Sequence, residues 1–220
     1  MKYSISGEIA QSVRLDFAPG ECAWVSKGAL MAYTSGMQWS LRVPGGAGGA
    51  LRRSLSGEGI ALTYLETQDE DQHAMLAANA PGHLEIWDLE GDGAVTTTRG
   101  SFVAAWGENV GITVTVARRA GAALFGGAGL FLQTISGVGK ALVHGSGDFY
   151  ERQMASDEEM LVSTGNLAAF SAEVDYDIRG VGGFRRVLFG GEGLFMTNLH
   201  GPGRVLLQTL KRNYAAKSTG

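Results

Sequence analysis

The side chains of this chain that could do chemistry are few and scattered. His83-Leu-Glu85 sets an imidazole and a carboxylate two residues apart, on one face of a strand. Such a pair could begin a metal site of the kind double-sheet β proteins build, but it needs a third ligand, and no His-x-His lies nearby. His144 and His200 fall at different offsets of the repeat described below, so symmetry does not bring them together. These histidines read as surface or satisfied core residues, and we expect no metal and no cofactor. Cys22 is the only cysteine, so an internal disulfide framework and a cysteine-based zinc finger are excluded. Beside Glu21 it lacks the electropositive surroundings of a nucleophilic thiol and reads as a buried structural residue.

Catalytic signatures fail residue by residue. His144-Gly-Ser146-Gly147 has the wrong frame for a nucleophile elbow. Gly137-Val-Gly139-Lys140 is followed by Ala141, where a phosphate-binding loop needs Ser or Thr. Asp69-Glu-Asp71 opens like a calcium loop, but its sixth position is Ala74 where glycine is required. One charged feature recurs, as Arg52-Arg53, Arg118-Arg119 and Arg185-Arg186. Solvated strand ends or local ion pairs are the simplest account. The sharper one makes Arg118, Arg119, Arg185 and Arg186 candidate contacts for lipid phosphates or another anionic partner.

The elements that must carry these residues are strands. The 220 residues include 34 Gly and four Pro, and 45% are apolar. Many glycines with few prolines suit the turns and bulges of an all-β protein. A formal charge of −4 speaks against a general nucleic-acid binder. The N-terminal residues lack the apolar run of a secretion signal, so the cytoplasm is the expected compartment. The uncharged run 120–139 approaches membrane-span length, but its six glycines make it a Gly-rich loop feeding a strand.

The chain repeats itself three times. Gly126, Gly127, Gly129, Gly137 and Gly139 match Gly190, Gly191, Gly193, Gly201 and Gly203 at identical offsets. Gly46, Gly49, Gly57 and Gly59 read as the third copy, with Leu55 at the offset of Ile135 and Leu199. Before each motif stands a glycine (Gly28, Gly100, Gly165), a short apolar segment, and an alternating run through Trp39, Ile112 or Tyr176. Alternation of period two marks strands, and the polar residues splitting the two runs predict a hairpin. Ala18-Pro-Gly-Glu21 through Val25 is echoed by Ala155-Ser-Asp-Glu158 through Val162. The units run about 1–80, 81–149 and 150–213, with a polar tail at 211–220, and should pack as one domain. Residues 69–79 either open a short helix or turn into a strand from His73 to Ala77; the strand is preferred.

Several segments carry a resemblance: Pro19–Glu21, Gly28-Ala-Leu-Met-Ala-Tyr33, Gly57-Glu-Gly59, Pro81-Gly82, Ile86–Leu89, Phe-Gly-Gly-x-Gly-Leu-Phe at 125–131 and 189–195, and Gly201-Pro-Gly203. With these the chain resembles the altered-inheritance-of-mitochondria (mitochondrial biogenesis) family over nearly its whole length. The resemblance implies an all-β sandwich like the tryptophan RNA-binding attenuation protein, here built from three repeats with pseudo-threefold symmetry. It also implies kinship with mitochondrial proteins of inner-membrane organisation, and brings no catalytic residues. We therefore expect a non-enzymatic scaffold or interaction protein, a homo-oligomer, peripheral to an anionic membrane surface or bound to a protein partner. The alternatives are a nucleic-acid binder by analogy of fold, and a small-ligand or metal-dependent enzyme using His83 and Glu85.

Overall fold

The computed structural model describes residues 1–44, 61–117, 130–180 and 195–212. The first unit holds β1 (Lys2–Ser6), β2 (Ser12–Phe17), β3 (Cys22–Val25), β4 (Leu30–Tyr33), β5 (Gln38–Arg42), β6 (Leu62–Glu66) and β7 (Gln72–Ala77). The second holds β8 (Gly82–Asp88), β9 (Val95–Thr98), β10 (Phe102–Ala117) and β11 (Leu130–Ser146). The third holds β12 (Phe149–Met154), β13 (Glu159–Ser163), β14 (Leu167–Ser171), β15 (Asp175–Gly180), β16 (Phe195–His200) and β17 (Gly203–Gln208). A single turn of 3-10 helix at Thr164–Asn166 is the only helical piece among the described residues.

One pairing scheme occurs in all three units. In the first, β7 runs between β2 and β4, and β6 runs between β3 and β5. In the third, β17 runs between β12 and β14, and β16 between β13 and β15. The second unit does the same with two long strands. The end of β11 lies between β8 and the start of β10, and its beginning lies between β9 and the end of β10. A register shift interrupts the same place each time, at Leu30/Ala32, Phe102/Ala104 and Leu167/Ala169. Each unit is thus a small sandwich with a half-sheet of three strands on either side of its core, to one of which the first unit adds β1.

Pairing between units fuses these halves. β3 pairs with β10, and β9 pairs with β14. The result is the long order β12-β17-β14-β9-β11-β10-β3-β6-β5, with β8 attached to β11. The remaining halves, β1-β2-β7-β4 and β13-β16-β15, stay separate sheets. Apolar side chains fill three clusters, one per sandwich. The first is built around Leu15, Leu65 and Leu76, the second around Trp87, Ile135 and Val143, and the third around Leu167, Phe170 and Leu199.

Three sequence expectations change. The paired runs 30–33 and 38–42 are not a hairpin: β4 bonds to β7 and β5 to β6, in different sheets. The same holds for β14 and β15, and in the second unit one strand, β10, crosses from sheet to sheet without a break. Alternation reports that a segment is a strand and is silent on its neighbour, which the sandwich core selects. Leu55 is not the counterpart of Ile135 and Leu199. It lies outside the described residues, and cross-strand register puts Leu65 at that offset, opposite Trp39 as Ile135 is opposite Ile112 and Leu199 opposite Tyr176. Glycine spacing is a weak guide to register here, because the stretches between the flanking strands differ in length: Arg42 to Leu62, Ala117 to Leu130 and Gly180 to Phe195. Gly28 and Gly100 adopt φ of 82° and 78°, whereas Gly165 sits in the 3-10 turn.

Gly107 and Gly139 show why glycine recurs where strands change sheets. They face one another across β10 and β11 at φ of 133° and 140°. A Cβ on Gly107 would collide with the Val138 carbonyl, and one on Gly139 with the Trp106 carbonyl. The two backbones cross too closely there for any side chain. Residues 69–71 form the acidic turn, with Asp71 at φ 56°, and lead into β7 as preferred.

Candidate functional site

The paired candidates His83 and Glu85 do not work together. Both lie on β8, but the His83 Nδ1–H donates to the Gly147 carbonyl at 2.9 Å and faces Asp148 at 3.2 Å. Glu85 instead accepts from Arg204 of β17 at 2.9 Å. Arg204 is a hub between the second and third units. It also donates to Asp92 at 3.0 Å and to Glu151 at 2.8 and 3.0 Å, and lies 4.8 Å from the centre of the Trp87 ring. Burial works against its charge, yet the carboxylates of Glu151, Glu85 and Asp92 outweigh it and hold the guanidinium above its ordinary pKa. That arrangement locks three strands together and leaves Glu85 committed to structure.

Cys22 is half-buried rather than buried. It lies against Tyr64, whose hydroxyl is pushed up to about 12 by burial first and by Cys22 second. Trp24 packs on the same ring at 4.8 Å, and Arg42 stacks over it at 3.8 Å. The cysteine therefore sits in an aromatic packing cluster. Among the described residues no three His, Cys, Asp or Glu side chains group as metal ligands would. Arg52, Arg53, Arg118, Arg119, Arg185 and Arg186 lie outside the described residues.

One convergence of polar groups is not singled out by the sequence. A cavity of about 470 Å³ lies where the first two units meet the C-terminal segment, lined by Lys27, Asn79, Arg99, Gln133, His144 and Arg212 among others. Arg212 reaches across it. Its guanidinium donates to His144 Nδ1 at 2.6 Å, to the His144 carbonyl at 3.1 Å, to Ser146 Oγ at 3.1 Å and to Ser101 Oγ. Its backbone N–H donates to the Gly165 carbonyl at 2.9 Å. Arginine can only donate, so His144 Nδ1 is the acceptor and the imidazole proton sits on Nε2. Nε2 is buried and makes no hydrogen bond of normal geometry. Burial first, and the Arg212 charge second, push His144 down to about 4, with the Ala80 backbone opposing. His144 is thus neutral at physiological pH. The sequence signal that could have found this site is positional: Ala77, His144 and Gln208 follow Leu76, Val143 and Leu207, which sit at one register position opposite Leu30, Phe102 and Leu167. A polar residue there in two units out of three marks a departure from the core pattern.

A second surface feature is apolar. Met31 and Tyr33 of β4, and Trp39 and Leu41 of β5, are all exposed, and Trp39 Nε1–H donates to the Tyr33 hydroxyl at 3.2 Å. Leu161 of β13 is exposed as well. No helix among the described residues is long and apolar enough to cross a membrane.

Comparison with known proteins gives kinship without chemistry. The family model described as mitochondrial biogenesis AIM24 matches residues 3–210. An uncharacterised protein of Streptococcus pyogenes serotype M6 is 30% identical over 207 residues, covering 90% of this chain and 81% of that protein. A Streptococcus pyogenes protein solved by X-ray crystallography in a structural genomics programme superposes with a TM-score of 0.79 over 96% of this chain and 94% of its own. At 23% identity that likeness shows the fold alone.

Proposed function

The chain belongs to the mitochondrial biogenesis AIM24 family, and from that premise we propose that it is a non-enzymatic interaction module that self-associates and presents its sheets to a further partner. One observation carries the reading. The polar groups best placed for chemistry are spent on holding units together, whereas apolar side chains stand on the surface of β4, β5 and β13. An exposed apolar cluster on a soluble surface is the usual mark of a contact site. The expected partners are further copies of the chain and, through the arginine pairs, an anionic membrane surface or an acidic protein. Light scattering after size exclusion tests the first part: a mass above the 23.1 kDa of one chain, rising with concentration over the micromolar range, is expected. A mass of one chain throughout would refute self-association.

His144 favours a second reading. Its imidazole lines a cavity shared with the Lys27, Arg99 and Arg212 side chains, and that lining suits a small anion. Calorimetric titration with inorganic phosphate and with citrate tests it, binding being lost in Lys27→Ala.

A further inference from the structure

The repeat makes its own prediction about what covers the exposed apolar residues. Inside the chain, the edge of each unit's second half-sheet is covered by the next unit's first half-sheet. β3 takes β10 with Val25, Trp24 and Ala23 opposite Ala104, Ala105 and Trp106. β9 takes β14 with Thr97, Thr96 and Val95 opposite Ala169, Phe170 and Ser171. The two junctions share one register. β13 is the equivalent edge of the third unit, and β4 the equivalent edge of the first. Among the described strands, β13 pairs only with β16 and β4 only with β7.

Burial follows the same logic. Met31, Tyr33 and Leu41 are 59%, 44% and 63% exposed, while their counterparts Val103, Ala168, Ala105, Phe170, Val114 and Ile178 are at most 5%. Trp39 is 52% exposed, against 5% for Ile112, its counterpart in the second unit. Ile112 belongs to a core cluster with Leu62 of the preceding unit, and Ile178 to one with Leu132 of its preceding unit. In the first of the three units Trp39 and Leu41 join none of the core clusters and have no such neighbour among the described residues. At the other end, Met196 holds the position of Leu62 and Leu132 and is only half-buried. Neither edge is guarded: β4 reads Leu-Met-Ala-Tyr, and β13 carries one charge, at its first residue.

Building on the self-association reading, we propose that the β4 edge of one copy adds to the β13 edge of a second copy, head to tail, placing Ala32, Tyr33 and Thr34 opposite Val162, Leu161 and Met160. The register is the one both internal junctions use, carried over through the matching segments that end in Val25 and Val162. The contact joins two half-sheets into a third continuous sheet and covers Tyr33, Leu161 and Met31. It is heterologous, so it either closes a ring or extends a filament.

Disulfide trapping tests the register in a Cys22→Ser background. Antiparallel partners stand about 4.5–5.5 Å apart at Cα, within the reach of a disulfide. Tyr33→Cys and Leu161→Cys, purified separately and mixed under oxidising conditions, should give a crosslinked species of twice the chain mass that neither forms alone. Absence of that mixed product overturns the proposal. So does a double variant Tyr33→Cys/Leu161→Cys that crosslinks within a single chain, since the seam then closes on itself. Tyr33→Lys and Leu161→Lys, both at exposed positions, should each return the protein to a single-chain mass with an unchanged circular dichroism spectrum. Self-association that survives both changes places the contact elsewhere and leaves only the broader reading standing. A wild-type mass of one chain at every concentration removes both.

Discussion

Acid should unfold this protein partly through one histidine. His144 is buried on β11 and held neutral, its pKa displaced from the ordinary 6.5 to about 4 by burial and by Arg212. The unfolded chain therefore binds a proton that the folded chain refuses. Stability from this group is fully present above the unfolded value and is lost as pH falls from about 6.5 toward about 4. Single-proton linkage sets the size: roughly 1.4 kcal/mol lost near pH 5.5 and roughly 2.6 kcal/mol near pH 4.5, with a slope never above about 1.4 kcal/mol per pH unit. Carboxylates with depressed values, Asp88 and Glu158 among them, also lose stability in acid, so a reference is needed. His144→Gln provides it, because Gln208 fills the equivalent place in the third unit, buried and bonded at both ends of its amide. Urea titrations followed by tryptophan fluorescence, at one protein concentration and four pH values, yield the difference between the two proteins. That difference should change by the amounts above between neutral pH and pH 4.5. A difference flat with pH would refute the argument, since it would mean that His144 titrates alike in both states.

Three further outcomes follow from the same contacts. Arg204→Gln leaves Glu85, Asp92 and Glu151 facing one another at the second–third unit boundary, and should cost about 2–3 kcal/mol in denaturant titration, an effect that shrinks in high salt. Gly139→Ala places a Cβ against the Trp106 carbonyl at a positive φ, and should lower stability by about 2 kcal/mol or more; a neutral result would show that the β10–β11 crossing has slack. If the arginine pairs meet lipid phosphates, the protein should co-sediment with anionic vesicles more than with neutral ones and less in high salt. Changing Arg118, Arg119, Arg185 and Arg186 to Gln should abolish that preference, and unchanged sedimentation would end the idea.

The sequence alone carried the all-β class and most strand positions. Alternation through residues such as Val110, Ile112 and Val114 reflects which side chains leave water, and that is a local property. It also carried the matching turns at Glu21 and Glu158, since each carboxylate accepts from a backbone N–H three residues earlier, Ala18 at 2.8 Å and Ala155 at 3.1 Å. What local pattern does not contain is the partner of each strand. Every strand here has the same pleat and spacing, so whether Tyr33 lies opposite Ala74 or opposite a residue of β5 depends on which pairing closes an apolar core, and only the folded chain decides that. The separation of His83 from Glu85 arises in the same way: β8 aims them along one face, but Gly147 and Asp148 come from the link between β11 and β12, and Arg204 from β17, more than 60 and more than 110 residues away. The His144–Arg212 contact joins residues 68 apart that share no motif. The open seam was least legible of all. It consists of two ordinary strands, and it becomes visible only when the third unit's β13 is compared with β3 and β9, whose edges the tertiary structure covers and whose registers it sets.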